Sequence, residues 1–418
     1  MNNNSKRKST DPMHPDRLFP ADPGTRAIAR KLYDTIGALP IISPHGHTDP
    51  RWFADNAPFS DPVSLLLTPD HYITRMLYSQ GSSLEELGVT PLSGPTAASA
   101  ASSGAGGDPS IARGDSPLQR RPHAPDPRVI WRKFAGHYHL FRGTPTRLWL
   151  DWVLSAVFEA EAPLTTANAD RTYDRIAERL TQDAFRPRAL FERFGIEVLA
   201  TTESPLDDLA HHAAIRASGW KGRIISAYRP DPVVDPEAPG FAAGVQRLGE
   251  ITGEDTSAWS GYLAAHRKRR AFFARMGATS TDHGHPSART ADLSDPEAQS
   301  LFGRVVRAAR GGAVESADAE LFRAQMLTEM ARMSVDDGLV LQIHPGSWRN
   351  HNSALYERFG PNVGGDIPMA TDYVRALRPL LNRFGNERSL TIIVFTLDET
   401  AYSRELAPLA GHYPALKL

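Results

Sequence analysis

The amino-acid sequence predicts an α/β fold built on a parallel sheet. Short, nearly continuous apolar segments recur along the chain, as expected for strands that are buried on both faces of a sheet. Longer segments with helical periodicity separate these strands. A strand followed by a helix, repeated several times, is typical of parallel βα units.

Six strands are predicted from these apolar segments. They are Leu39 to Ser43, Ile196 to Thr202, Arg223 to Tyr228, Ala274 to Ser280, Gly338 to His344 and Leu390 to Leu397. Ser204 to Asp207 predicts a capped helix start after the second strand. Leu321 to Asp337 has helical periodicity and stops at Gly338. A (β/α)8 barrel and a doubly wound sheet both fit this order, although no Gly-x-Gly-x-x-Gly motif follows the first strand to support nucleotide binding.

The spacing of the strands predicts the organisation of the chain. About 150 residues separate the first two strands, too many for one crossover helix. The apolar segment Leu148 to Ala160 within them predicts a small helical core. We expect a disordered tail over residues 1–13 and one domain over 14–418. That domain has a helical insertion over about 50–190, with a low-complexity loop at 93–125 that is rich in Ala, Ser, Gly and Pro.

The composition restricts the functional classes. The chain is 41% hydrophobic and 23% charged, as in ordinary soluble proteins. Its net charge of -1 favours neither nucleic acid nor an anionic membrane as a partner. There are no cysteines, so any metal must be held by His, Asp or Glu, and a cytoplasmic location is expected. No apolar run is long enough to predict a spanning helix.

A pair of histidines at the end of the first predicted strand indicates a metal site. His45 and His47 are two residues apart, so their side chains point to the same face of the strand. Active sites of barrels lie at the carboxyl ends of the strands. The motif alone is weak, because the 15 histidines give about half a His-x-His pair by chance. His137/His139 and His283/His285 match it as well, and we favour His45/His47 because they follow a strand that is predicted to be buried.

Other strand ends also carry residues that are suited to chemistry. His344 ends the fifth strand and would supply a third imidazole, and Asp282 and His283 follow the fourth. Arg229 follows the third strand, where its guanidinium could bind a carboxylate or form a salt bridge with Asp231. The sequence does not decide between these two interpretations. The bias of polar residues toward strand ends nevertheless indicates a functional site.

Several longer motifs carry a family resemblance. They are the segment from His14 to Gly81, ATTESPLDDLAHH, SAYRPD, STDHG and IHPGSWRNHN, in that order. Together they resemble the uronate (glucuronate) isomerases of the amidohydrolase superfamily. The resemblance covers most of residues 14–418 except the stretch near 93–125.

The resemblance implies a distorted, TIM-like (β/α)8 barrel with the helical insertion after its first strand. It also implies roles for particular side chains. The metal ligands would be His45, His47 and His344; the catalytic residues would be His71, Tyr72 and Asp282; the substrate-binding residues would be Arg229, His283, Trp348 and Arg349.

The implied reaction interconverts an aldose uronic acid and its keto isomer by proton transfer between C2 and C1. D-glucuronate and D-galacturonate would be the substrates, and the products would be D-fructuronate and D-tagaturonate. A divalent metal, taken to be zinc, would polarise the carbonyl group. The expected partner is a small uronic acid, with neither nucleic acid nor membrane, and a homo-oligomer is one option for assembly.

Two other expectations are kept beside this one. Members of the family continue beyond the position of Leu418, so the resemblance implies a barrel that is incomplete at its C-terminus and a chain of doubtful activity. An inactive fragment, or a segment lost in gene annotation, would explain this. The other rival is a hydrolase of the same superfamily, but the sixth strand ends in Leu397-Asp398-Glu399 without a histidine.

Overall fold

A computed structural model describes residues 14–92 and 125–418 of the chain. The predicted tail at 1–13 and all but the last residue of the predicted loop at 93–125 lie outside the described residues. The described chain divides into two compact units. The first contains residues 14–42, 55–91 and 125–197, and the second contains residues 43–54, residue 92 and residues 198–418. The single domain over 14–418 and the insertion over 50–190 stay predictions.

The described strands form one large and one small sheet. They are β1 (Ile41–Ser43), β2 (Ile196–Glu203), β3 (Arg223–Tyr228), β4 (Ser280–His283), β5 (Val340–Ile343), β6 (Ser347–Trp348), β7 (Ile367–Pro368), β8 (Ile392–Val394) and β9 (Leu416–Lys417). The large sheet has the order β1-β2-β3-β4-β5-β8-β9, and its pairs from β2 to β9 are parallel. Strands β6 and β7 pair antiparallel. The large sheet follows chain order without the reversal of a doubly wound fold, which confirms the α/β, barrel-like class.

The described helices account for most of the remaining chain. In chain order they are α1 (Pro23–Ile36), α2 (Pro50–Asp55), α3 (Pro62–Leu66), α4 (His71–Tyr78), α5 (Pro127–His137), α6 (Pro145–Trp152), α7 (Ala169–Leu180), α8 (Pro187–Arg193), α9 (Ala210–Ala217), α10 (Asp231–Val234), α11 (Phe241–Thr252), α12 (Trp259–Arg275), α13 (Asp295–Gly311), α14 (Ser316–Asp337), α15 (Ser353–Phe359), α16 (Tyr373–Ala376), α17 (Arg378–Phe384), α18 (Glu399–Ala401) and α19 (Ala407–His412). Helices α9, α10 to α12 and α13 to α14 follow β2, β3 and β4 respectively, as βα units require.

The predicted strands match the observed ones at five of six places, and the fourth prediction was wrong. Strand β4 begins at Ser280, whereas the prediction ended there. Helix α12 runs to Arg275, and Gly277 then adopts a φ of 98° that turns the chain before the strand. Asp282 and His283 therefore lie on β4 itself and not in the loop after it. The burial predicted for β1 was also wrong, since this strand lies at a sheet edge and Ile42 is 62% exposed.

The two helix boundaries predicted from the sequence have different outcomes. Helix α14 ends at Asp337, where Gly338 adopts a left-handed φ of 76°, so that C-terminal cap is confirmed. The helix start at Ser204 to Asp207 was wrong, because α9 begins only at Ala210. The Asp207 carboxylate instead accepts a hydrogen bond from the Leu209 amide at 2.6 Å, and the Asp208 carboxylate accepts one from the Ala210 amide at 2.9 Å. These bonds stabilise a turn between β2 and α9.

The core of the second unit is aromatic where its helices pack together. The rings of Trp259, Tyr262 and Phe302 lie in contact, with centroids 4.8 Å apart for Tyr262 and Phe302 and 5.6 Å apart for Trp259 and Phe302. A buried ion pair joins α12 to the end of α14, since Arg270 donates to both carboxylate oxygens of Asp337 at 2.7 and 2.8 Å. This paired geometry compensates the cost of burying the Arg270 charge. Helix α14 is thereby fixed where it leads into β5.

The first unit has a helical core of its own. Trp131 of α5 is fully buried, and its indole nitrogen donates to the Ala169 carbonyl of α7 at 2.9 Å. The apolar segment Leu148 to Ala160 forms α6 and a π-helical turn, Val153–Val157. Four of its apolar side chains are buried: Leu150, Leu154, Val157 and Phe158.

Among the described residues of the chain, no helix combines the length and the hydropathy that crossing a membrane requires.

Replacing Phe302 with Ala tests the aromatic core. This side chain is fully buried against three other rings, so the change leaves a cavity and should lower the free energy of unfolding by about 3–5 kcal/mol. Urea unfolding followed by circular dichroism measures the loss. Val374→Ala, at a side chain that is 48% exposed, is the control and should change stability by less than about 0.5 kcal/mol. Equal effects of the two variants would contradict this description of the core.

Candidate functional site

Polar side chains gather at the carboxyl ends of several strands of the large sheet. His45 and His47 follow β1, Arg229 follows β3, Asp282 lies near the end of β4 and His344 follows β5. Because parallel strands end at one edge of the sheet, their terminal side chains are neighbours. Residues that are distant in the sequence therefore meet at one place.

The three predicted metal-ligating histidines lie together. The Nε2 atoms of His45 and His47 are 3.3 Å apart. The rings of His45 and His344 are nearly perpendicular, with centroids 5.0 Å apart. The structure thus places His45 beside both His47 and His344, and their role as ligands stays a prediction.

Local backbone contacts position the histidine pair. The Cβ that any other residue would add at Gly46 would lie 3.2 Å from the Ala200 carbonyl oxygen, so the chain passes β2 closely there. The Nδ1 atom of His47 lies 3.2 Å from the Thr202 hydroxyl, which leaves Nε2 directed at His45. Gln342 of β5 donates to the Pro44 carbonyl at 3.2 Å. These contacts fix the loop that carries both imidazoles.

Asp282 lies at the centre of the group. Its side chain has no exposed surface, and its Oδ1 atom is 3.1 Å from His45 Nδ1 and 2.8 Å from His344 Nε2. Its Oδ2 atom is 3.5 Å from the Arg229 guanidinium. The family resemblance implied a catalytic role for Asp282. The sequence did not predict that its carboxylate faces both His45 and His344. An acidic residue on the strand between the two histidine-bearing segments was the available signal.

The donor atoms of this group suit a divalent metal ion. Ligand atoms of His45, Asp282 and His344 all lie within 4.8 Å of one another, so they could hold such an ion. His45 Nδ1, His344 Nε2 and both Asp282 oxygens are buried, and among the described residues none of them makes a hydrogen bond of acceptable geometry. Imidazole nitrogens with a carboxylate are common ligands of divalent transition metals. A divalent ion therefore fits this group because it would coordinate buried atoms that otherwise have no hydrogen bond.

The electrostatics keep this carboxylate charged. Burial acts to raise the pKa of Asp282, but contacts with His344 and His45 and the charge of Arg229 outweigh it and hold the pKa well below its usual value. The same contact with Asp282 raises the pKa of His45. The group thus has one firmly ionised carboxylate between imidazoles and a guanidinium.

Arg229 is shared between two carboxylates. Its Nε lies 3.0 Å from Asp231 Oδ2, so the salt bridge that the sequence suggested is present. A second guanidinium nitrogen lies 3.5 Å from Asp282, and a fifth of the side chain is exposed. Part of the Arg229 side chain therefore reaches solvent, and the sugar-acid contact stays a prediction.

Three further predicted substrate-binding residues have different surroundings. Trp348 lies on β6 and is 58% exposed. Arg349 pairs with Asp366 at 2.8 Å, and Asp366 also accepts the Asn350 amide at 3.0 Å, which fixes this loop. His283 has no exposed surface, and burial lowers its pKa to about 3, so it is neutral at neutral pH. The substrate-binding roles of these three residues stay predictions.

His71 and Tyr72 belong to the first unit, in the first turn of α4. The Asp70 carboxylate caps this helix by accepting hydrogen bonds from the amides of Tyr72 at 2.9 Å and Ile73 at 3.2 Å. Tyr72 is 59% exposed, and its ring centroid lies 4.5 Å from that of His71. Their catalytic roles stay predictions.

A buried acid at the end of β2 was missed by the sequence analysis. Glu203 is 6% exposed, and burial raises its pKa to about 8 although the Ser226 and Thr201 hydroxyls bind it. His212 lies 3.8 Å away, but burial lowers its pKa to about 4. Both groups are therefore largely neutral at neutral pH and do not form an ion pair. The signal was a glutamate directly after the apolar and threonine residues of the predicted second strand.

This fold and this group of side chains define a class of protein. A parallel sheet in chain order, with a His-x-His pair after β1 and a histidine after β5 at the carboxyl ends of the strands, defines a distorted, TIM-like barrel of the amidohydrolase-like class.

Comparisons with known proteins identify the family within that class. The sequence model of the glucuronate isomerase family matches residues 125–417. Uronate isomerases of Rhizorhabdus wittichii and Phenylobacterium zucineum are each 61% identical to this chain over 406 residues. These alignments cover 97% of this chain and 79% and 78% of those proteins. The chain therefore belongs to the glucuronate (uronate) isomerase family.

Solved structures agree with this assignment. The crystal structure of the Caulobacter crescentus glucuronate isomerase superposes with a TM-score of 0.87 at 57% identity, covering 97% of this chain and 78% of that one. The Thermotoga maritima uronate isomerase gives a TM-score of 0.80 at 23% identity, covering 97% and 79%. The second similarity shows the fold alone.

Replacing Glu203 with Gln tests the buried acid through the pH dependence of stability. The folded pKa of about 8 lies above the ordinary value of 4.5, so the protonated carboxyl stabilises the fold at low pH. That contribution is complete below pH 4.5 and is lost as the pH rises toward 8. We expect the wild-type urea midpoint to fall across this window and the variant to fall less. Glu399→Gln, at an exposed position, is the control, and its urea midpoint should fall with pH as that of the wild type does. If the urea midpoint of Glu203→Gln falls with pH as much as that of the control, the raised pKa of Glu203 is contradicted.

Proposed function

We propose that this isomerase interconverts D-glucuronate and D-fructuronate, and D-galacturonate and D-tagaturonate, at the group formed by His45, Asp282, His344 and Arg229. The observation that carries the proposal is the Asp282 carboxylate, which has no exposed surface and lies between two imidazoles and a guanidinium. In such a group the ionised carboxylate can accept a proton, and the guanidinium can bind the carboxylate of a sugar acid. Membership of the isomerase family supports this reaction.

The residues that would hold the metal are His45, His47 and His344. Asp282 Oδ1 lies beside His45 Nδ1 and His344 Nε2, and His47 Nε2 faces His45 Nε2. We assign zinc as the ion, because imidazole nitrogens and a carboxylate oxygen suit it. When bound, the ion supplies Lewis-acid polarisation of the substrate carbonyl and hydroxyl oxygens.

The proton transfer between C2 and C1 requires a group that accepts and returns a proton. Oδ1 of Asp282 lies between the imidazoles, which leaves Oδ2, beside Arg229, for this task. Transfer through a cis-enediol would need only one such group, since the proton would leave C2 and return to C1 on the same face of the planar intermediate. Tyr72 is the residue that we propose as the relay of the proton, and the resemblance also implies a catalytic role for His71.

The structure around β8 favours isomerisation over hydrolysis. A hydrolase of the superfamily would present a further histidine after this strand. Phe395 follows β8 instead, and its ring centroid lies 6.0 Å from that of His45. The aromatic ring offers no ligand atom. Activity on D-glucuronate and D-galacturonate, set against a panel of amides and esters, tests the proposal, and turnover of an amide alone would overturn it.

We also place the enzyme in the cytoplasm, because the chain contains no cysteine and its substrate is a small charged sugar acid. A homo-oligomer is the assembly that we propose, since enzymes of this size often form symmetric complexes.

Replacing Asp282 with Asn tests the proton-accepting group. The amide keeps the shape of the carboxylate but cannot take a proton, so kcat on D-glucuronate should fall by about 10²- to 10⁴-fold at saturating zinc. Asp318→Asn, at a surface pair with Arg304, is the control and should keep wild-type turnover. A decrease of less than about threefold in the Asp282 variant would rule out the proposed role.

Replacing Arg229 with Met tests the carboxylate contact. Loss of a charge-assisted hydrogen bond should weaken binding of the uronate by about 10- to 100-fold, with a far smaller effect on the matching neutral aldose. KM for the uronate and inhibition by the neutral sugar measure the difference. Arg304→Met, at an exposed surface pair, serves as the control. An equal loss for both sugars would show that Arg229 does not bind the carboxylate.

A further inference from the structure

A second group of potential ligands lies beside the first but shares no residue with it. Asp231 begins α10, His283 ends β4 and His285 follows two residues later. Ligand atoms of these three residues lie within 4.8 Å of one another. His283 has no exposed surface and His285 is 3% exposed. The proposed isomerisation makes no use of this group.

The hydrogen bonding of His283 prepares one nitrogen as a ligand. His283 Nε2 lies 3.0 Å from the Thr281 hydroxyl, which also faces the Val340 carbonyl at 3.5 Å. In the tautomer that donates from Nε2 to Thr281, the imidazole has a lone pair on Nδ1. That atom is buried without a hydrogen bond among the described residues. A ring oriented through its second nitrogen is the usual arrangement of a metal-bound histidine.

His285 is the stronger indication. Both of its ring nitrogens are buried, and neither has a hydrogen-bond partner in the described part of the chain. A buried polar group without a partner costs free energy, so some ligand or water must satisfy it. The nearest carboxylate oxygen is Asp231 Oδ1, 3.9 Å from His285 Nε2. This gap is too long for a hydrogen bond but suits two ligands of one ion.

Asp231 is held in place from the other side. The Gly284 amide faces its carboxylate at 3.1 and 3.3 Å, and Arg229 Nε lies 3.0 Å from Oδ2. A Cβ at Gly284 would come within 2.7 Å of the Arg229 guanidinium and 2.9 Å of Asp231 Oδ2. Only glycine permits this close packing. Asp231 therefore keeps Oδ1 directed toward His285.

We propose that Asp231, His283 and His285 bind a second divalent transition-metal ion of the zinc class, with a structural role. Two imidazoles and one carboxylate match the ligands that such ions prefer. The ion would tie the end of β3 to the end of β4 and hold Asp231 against Arg229.

Cobalt titration of the chelator-treated full chain tests this inference. Elemental analysis after gel filtration and the visible absorption of Co²⁺ should give about two ions per chain for the wild type. His285→Gln and Asp231→Asn should each retain about one ion, and His45→Ala should also retain about one, with a different spectrum. His412→Gln, at an exposed histidine, is the matched control and should bind as the wild type does.

The outcomes separate this site from the isomerase reaction. Binding of one ion by the wild type, lost in His45→Ala and kept in His285→Gln, would overturn the second site and indicate that water satisfies His285. If His285→Gln fails to fold, Asp231→Asn decides, because the amide preserves the size of the side chain. Uronate turnover is measured in parallel. Two bound ions without turnover would support this inference and contradict the proposed function.

Discussion

The requirement to neutralise one buried carboxylate governs the centre of this protein. Asp282 has no exposed surface, and an ionised carboxylate in such a place is tolerated only beside compensating charges and dipoles. His45, His344 and Arg229 supply them at 2.8 to 3.5 Å. The four strands that carry these residues, β1, β3, β4 and β5, must therefore end close together. The parallel sheet in chain order provides that geometry, and the same concentration of charge would serve a metal ion and a sugar acid.

The packing around the site limits which residues the backbone accepts. Gly46 and Gly284 both lie where a Cβ would approach a carbonyl oxygen or a charged group closely. Gly284 separates His283 from His285, and its amide faces Asp231. The site and the neighbouring histidine pair thus share a rigid frame. A substitution at Arg229 or Asp231 would alter contacts in both groups. The proposed catalytic centre and the proposed structural ion are therefore coupled through this pair.

The sequence predicted those elements whose pattern is local. Strands β2 and β3 were placed correctly because apolar residues fill them and turn residues bound them. Strand β4 was misplaced because its residues are Ser, Thr, Asp and His, all of them buried. A pattern of apolar residues cannot reveal a strand whose side chains are polar and whose burial depends on partners elsewhere. Glu203 was missed for the same reason, since burial alone decides its protonation.

The sequence by itself determined the α/β class, the His45/His47 pair, the late histidine His344 and, through its motifs, the resemblance to a family. These features depend on residue type and on spacing along the chain. Only the tertiary structure decided which side chains meet. It turned Asp282 toward both His45 and His344, placed Arg229 between two carboxylates and brought Asp231 to His283 and His285. Distances between remote residues follow from how helices and strands pack, and no local pattern encodes them.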